Sequence, residues 1–144
     1  MTPPKRPTLF LLPIMGWKEF VTFPRLGLGP LVAKIDTGAR TAALHADVIE
    51  VAGKRVRFTI DKRHYRAALM GQKRIKSSNG ISELRPVIRV TLQVGTRLLE
   101  TEITLTDRAD MEVPMLLGRN SIKGHFIVNP AKTFLLSRKR KVVS

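Results

Sequence analysis

The stretch Leu31-Val32-Ala33-Lys34-Ile35-Asp36-Thr37-Gly38-Ala39 decides how this chain is read. A mostly apolar strand runs directly into Asp-Thr-Gly, where the glycine permits a sharp turn and a carboxylate is held at the strand's end. A second segment, Met115-Leu116-Leu117-Gly118-Arg119-Asn120, repeats the logic: an apolar run, a glycine that allows close backbone approach, then the start of a short helix. Taken singly, each has a plain reading, since Asp and Gly after a strand usually make only a turn, and Leu-Leu-Gly commonly ends a core strand. Both occur once, in this order, in a chain whose other segments read as strands. The pair is the signal.

Outward from these segments the pattern is short and period-two. Residues 54–60 place Val56, Phe58 and Ile60 on one face, and Ala52-Gly53 suits a hairpin turn from residues 49–51. Residues 86–94 put Ile88, Val90, Leu92 and Val94 on one face and Arg89, Thr91 and Gln93 on the other. Gly95-Thr96 turns the chain, and residues 98–105 return with Leu99, Thr101, Ile103 and Leu105 alternating against Glu100, Glu102 and Thr104. Residues 126–128, a turn at Asn129-Pro130 and residues 133–136 add strands near the end. Helical character is confined to residues 119–124. The expectation is an all-β domain, a closed or sandwich-like barrel.

The chain of 144 residues suits one domain, and 43% hydrophobic residues can bury a core. Residues 1–8 read as a Pro-rich flexible arm, 9–137 as the domain, and 138–144 as a basic tail with Arg138, Lys139, Arg140 and Lys141. The absence of cysteine excludes a disulfide scaffold, a thiolate metal site and a cysteine nucleophile. Basic residues outnumber acidic ones 26 to 11, a formal charge of +15 shared by both halves of the chain. Such a field attracts polyanions without choosing among them. No run approaches the roughly 20 apolar residues that span a bilayer. The run at 9–15 follows Lys5 and Arg6, as a signal peptide would, but Pro13 interrupts it and no small-residue cleavage site precedes Trp17 and Lys18. A cytoplasmic protein without a membrane partner is expected.

The two segments together resemble the retropepsin-like aspartic proteases. In that family Asp-Thr-Gly-Ala supplies the catalytic carboxylate, and a hydrophobic-hydrophobic-Gly-Arg-Asn segment lies beneath it before a short helix. The similarity is closer to a bacterial branch labelled ATP-dependent zinc proteases. It extends over Ile35-Asp36-Thr37-Gly38-Ala39-Arg40-Thr41-Ala42-Ala43-Leu44-His45-Ala46, Ser77-Ser78-Asn79-Gly80, Glu83-Leu84-Arg85-Pro86-Val87-Ile88 and Leu105-Thr106-Asp107-Arg108. The resemblance implies a closed barrel with one short C-terminal helix, one lobe per chain, and catalytic residues Asp36, Thr37 and Gly38. A water held between two aspartates that share a proton would cleave the peptide bond. With a single Asp-Thr-Gly, the second aspartate must come from another copy, so a homodimer is expected. No cofactor or metal is expected: the histidines are His45, His64 and His125, with neither a His-Glu-x-x-His nor a Walker-type loop.

Viral retropepsins place an aspartate directly after Asp-Thr-Gly-Ala, pairing with the arginine of Gly-Arg-Asn. Here that position is Arg40, while Arg119 remains. Two neighbouring guanidinium groups need an anion between them, either Asp47, Glu83 or Asp107, or a substrate carboxylate. Bacterial relatives of this kind resemble partners of ligases that add glutamates to protein ends, a ribosomal protein among them. The expected substrate is thus an acidic, glutamate-tailed peptide or protein, recognised by Ala39, Arg40, Arg119, Lys76 and Arg85. Residues 66–83 occupy the position of the glycine-rich covering hairpin, with Lys73, Arg74 and Lys76 making it basic. Two alternatives stay open: a ribosome- or nucleic-acid-binding module, which 6% aromatic content and the lack of a known motif argue against, and a catalytically silent scaffold.

Overall fold

The computed structural model describes residues 12–76, 79–108 and 111–137, so the arm at 1–8, the tail at 138–144 and Ser77-Ser78 lie outside the described residues. Twelve strands and one helical turn follow in order among them: β1 (Ile14–Gly16), β2 (Lys18–Phe23), β3 (Leu28–Ile35), β4 (Ala42–His45), β5 (Val48–Ala52), β6 (Arg55–Ile60), β7 (Arg63–Ala68), β8 (Gly71–Lys76), β9 (Ser82–Val94), β10 (Arg97–Thr106), β11 (Met115–Leu117), α1 (Arg119–Ile122) and β12 (Ile127–Asn129).

The β9–β10 hairpin is the longest pairing, running from Arg97 opposite Val94 to Thr104 opposite Val87. Its turn needs Gly95, whose φ of +59° lies in the left-handed region. The period-two reading holds for Ile88, Leu92, Val94, Ile103 and Leu105, which are fully buried, and for Glu100 and Glu102, which stay exposed; Thr104, expected on the outer face, is instead buried, its hydroxyl donating to Ala42 O at 2.9 Å. Thr101 shares the buried face because its hydroxyl meets Ser121 Oγ at 2.7 Å, so no polar group is left stranded there.

Six strands close on themselves in the order β10-β4-β11-β3-β2-β9, with β9 pairing back to β10. Closure removes the exposed strand edges that an open sheet would present. β8 adds to the outer part of β9, from Gly71 opposite Val87 to Lys76 opposite Ser82. A separate sheet, β5-β6-β7, inserts Val56, Phe58 and Ile60 into the barrel's core and stacks Phe58 on Tyr65 at 5.6 Å. β1 and β12 pair in parallel beside it all.

Three local expectations change. Residues 66–68 belong to β7, so the basic hairpin is shorter than 66–83 and runs from Gly71. β9 starts at Ser82, ahead of Pro86. Residues 133–136 form no strand. Instead, the fully buried carboxylate of Glu19 accepts hydrogen bonds from the amides of Leu135 (2.9 Å), Leu136 (3.2 Å) and Ser137 (3.0 Å), from Ser137 Oγ (2.7 Å) and from Gly16 N (2.6 Å). Those amides are taken by a side chain and cannot join a ladder.

His125 lies just beyond α1 with its Nδ1 buried and without a hydrogen-bond partner among the described residues. Desolvation by burial, reinforced by the charge of Arg97, holds its pKa below the usual histidine value. A depressed histidine pKa favours the folded state fully above the unfolded value of about 6.5, and this support fades as pH falls towards the folded pKa. The thermal midpoint should therefore drop on acidification from about pH 7 to about pH 5, and His125→Phe should flatten that dependence. Equal slopes for the two proteins would remove His125 from the account.

Candidate active site

Asp36 follows the last residue of β3. Its amide donates to Leu117 O at 2.9 Å, which ties it to the end of β11. That tie exists because β3 and β11 run parallel with Ile35 beside Leu117, so the two glycine-bearing segments of the sequence end side by side. The turn holds the carboxylate from one side: Gly38 N donates to Asp36 Oδ1 at 3.0 Å and Ala39 N at 3.2 Å. Oδ2 has no hydrogen bond among the described residues and is the oxygen open to a ligand.

The second segment clamps this turn. Arg119 N donates to Ala39 O at 2.8 Å and Asn120 N to Arg40 O at 3.0 Å. Arg119 Nη1 donates to Thr37 O at 2.8 Å and Gly38 O at 3.0 Å. Gly118 must be glycine for the same reason: a Cβ there would sit 2.5 Å from Thr41 C and 2.6 Å from Thr41 O, and backbone cannot yield as a side chain can. Gly118→Ala should push the clamp off the Asp36 turn. The expected cost is about 2–3 kcal/mol in urea unfolding, with activity lost more steeply than stability.

A cavity of about 430 Å³ opens at Asp36, lined by Lys34, Arg85 and Arg108 together with Glu112 and the apolar Met111, Val113 and Leu116. Arg85 and Arg108 also line a neighbouring cavity of about 420 Å³, reaching Ile75 and Ile81 of the basic hairpin region.

The site residues expected from sequence thus fall into groups. Asp36, Thr37, Gly38, Ala39 and Arg119 are brought together by direct hydrogen bonds, and Arg40 adjoins them through its carbonyl. Arg85 reaches the Asp36 cavity from β9. Lys76 is exposed at the end of β8 and lines neither cavity. Neither Arg40 nor Arg119 has an acidic partner among the described residues. Glu83 is paired with Arg85 at 2.9 Å, and Asp47 accepts from Asp61 N. Lys34 and Arg108 join the cavity without being expected from sequence; Lys34 lies inside the deciding stretch itself, but no local pattern says which cavity it lines. The donor set does not fit a zinc ion, since among the described residues no three His, Cys, Asp or Glu side chains converge. No helix of the described residues is long and apolar enough to cross a membrane.

A family model described as the RimB-like retropepsin-like aspartic endopeptidases matches residues 14–139. The chain belongs to this family. A probable alpha-L-glutamate ligase of Shewanella pealeana is 35% identical over 138 residues, covering 88% of this chain and 30% of that protein. Another from Parasynechococcus marenigrum is 32% identical over 129 residues, covering 81% of this chain and 28% of that protein. This RimB-like chain therefore spans about 30% of the length of the curated relatives it matches. A crystal structure of a protein of unknown function from Legionella pneumophila is 31% identical, with a TM-score of 0.71, covering 86% of this chain and 98% of that one.

Proposed function

We propose that this RimB-like chain is one half of a homodimeric aspartic endopeptidase that trims acidic, glutamate-rich tails from proteins, a ribosomal protein being one candidate substrate. The observation that carries the reading is Asp36, fixed through Oδ1 by two backbone amides and opening by Oδ2 onto a cavity bordered by Lys34, Arg85 and Arg108.

Two copies of Asp36 placed across a two-fold axis cannot both ionise when close, so the pair holds one proton. The ionised carboxylate takes a proton from the attacking water, and its protonated partner hydrogen-bonds to the scissile carbonyl oxygen. The net charge of +15 draws acidic peptides to the cleft. The ligase names of the longer relatives support the same substrate class. A hydrolase that removes glutamates acts on the product of a reaction that adds them.

The test is mass spectrometry of peptides ending in an oligo-glutamate tail, with a neutral-tailed peptide as control. Shortening of the glutamate tail alone is the expected result. Absence of cleavage of either peptide by a dimeric preparation would favour a binding scaffold.

A further inference from the structure

Arg85 is nine-tenths buried, its side chain only 9% exposed, yet its pairing within the chain is incomplete. Nε donates to Glu83 Oε2 at 2.9 Å. The two residues stand two apart on β9 and so project to the same side of the strand. Glu83 is steadied in turn, because its Oε1 accepts from Thr106 Oγ1 at 3.0 Å. The terminal nitrogens Nη1 and Nη2 have no hydrogen-bond partner among the described residues, although neither is sealed away from solvent. Arg85 lines both the Asp36 cavity and its neighbour, so it stands between the two with these donors unused.

Arginine is seldom buried this deeply unless its donors are matched. A fork of two nitrogens offering parallel N–H groups matches a carboxylate in bidentate geometry. The ion pair with Glu83 leaves Arg85 itself neutralised, but Lys34 and Arg108 on the Asp36 cavity offset the carboxylates of Asp36 and Glu112. An incoming carboxylate therefore does not face a net negative wall.

We infer that the Nη1/Nη2 fork of Arg85 receives a substrate carboxylate at the Asp36 cavity, and that Glu83 is the positioning residue that holds the fork there. The inference deepens the acidic-substrate reading above and rests on it. It gives Arg85 a different task from Arg119, whose Nη1 is committed to the Thr37 and Gly38 carbonyls. Because Arg85 is shielded from water, its carboxylate contact is worth more than one made by exposed Arg40 or Lys76. The carboxylate could be a glutamate side chain or the chain's own C-terminus.

The test measures binding to the full-length Asp36→Asn protein by fluorescence anisotropy, so that cleavage plays no part. The probes are a penta-glutamate peptide with an amidated end and penta-glutamine peptides with free and amidated ends. Arg85→Lys and Arg85→Gln should each lose about tenfold or more of the preference for carboxylate-bearing probes. Loss confined to the amidated penta-glutamate probe assigns the fork to a side chain, and loss confined to free-ended penta-glutamine assigns it to the terminal carboxylate. Should either variant fold poorly, Glu83→Gln with Arg85→Gln removes both charges of the pair and should show the same loss. An undiminished preference in folded variants overturns the role of Arg85 while leaving the acidic-substrate reading intact. If the Asp36→Asn protein itself shows no preference for the carboxylate probes, both fall together.

Discussion

On the proposed homodimeric mechanism, replacing Asp36 by Asn should abolish tail cleavage while leaving the fold and the proposed dimer in place. The amide keeps the shape of the carboxylate, and its oxygen can still accept from the Gly38 and Ala39 amides that now hold Oδ1 at 3.0 and 3.2 Å. What it cannot do is take a proton from water, or share one with its counterpart across the two-fold axis. Loss of a positioned general acid or base lowers the rate by about 10²- to 10⁴-fold. Both copies would be altered at once in the proposed homodimer, so the effect should lie at the upper end. Mixing adds a sharper test. When wild-type and Asp36→Asn chains exchange in equal amounts, about a quarter of the dimers pair two wild-type chains. Activity should fall to about that fraction of an all-wild-type sample at the same total concentration. A fall to only one half would mean that each chain works alone, and retention of full activity by Asp36→Asn would end the aspartic mechanism.

Glu19→Ala should be the most destabilising single change in the barrel. The carboxylate is fully buried and accepts from the amides of Gly16, Leu135, Leu136 and Ser137 and from the Ser137 hydroxyl. No cation lies within ion-pair distance among the described residues; backbone and hydroxyl dipoles alone meet the charge. Removing the acceptor strands those donors or frees residues 135–137 to find water. Release would also loosen the contact of Phe134 on Phe20, whose rings stack at 4.8 Å. The expected loss is about 3–5 kcal/mol in urea denaturation, a large share of a small domain's stability. Glu19→Gln should be no rescue, because its NH₂ would point a donor at donors. A loss below about 1 kcal/mol would show that the segment relaxes freely into solvent.

Much of this molecule is legible one segment at a time. Alternation at 88–94 and 99–103 states which side chains face the barrel interior, since successive residues of a strand project to opposite sides whatever else the chain does. Asp36-Thr37-Gly38 and Gly118-Arg119-Asn120 announce a carboxylate turn and its partner, because turns and close backbone approach demand particular residues locally. The resemblance carried by those two segments agrees with the family to which the chain belongs.

Other features depend on partners far along the chain, and no local pattern encodes them. Residues 133–136 have the composition of a strand, but Glu19, more than a hundred positions earlier, captures the amides of the segment that follows Phe134. The alternation of residues 63–68 is weak, and β7 forms because β6 offers it a register from Arg55 opposite Ala68 to Ile60 opposite Arg63. Arg119 reads in sequence as a free cation, yet its Nη1 is spent on two carbonyls of the Asp36 turn. Arg85 of β9 lines the Asp36 cavity beside Lys34 of β3 and Leu116 of β11, a juxtaposition that only barrel closure creates. Sequence by itself determined the strand pattern, the basic charge and the Asp36 turn, all of which rest on local sterics and residue chemistry. Tertiary structure alone decided which cations face the carboxylate and which donors are already taken, because hydrogen bonding is settled only when distant segments meet.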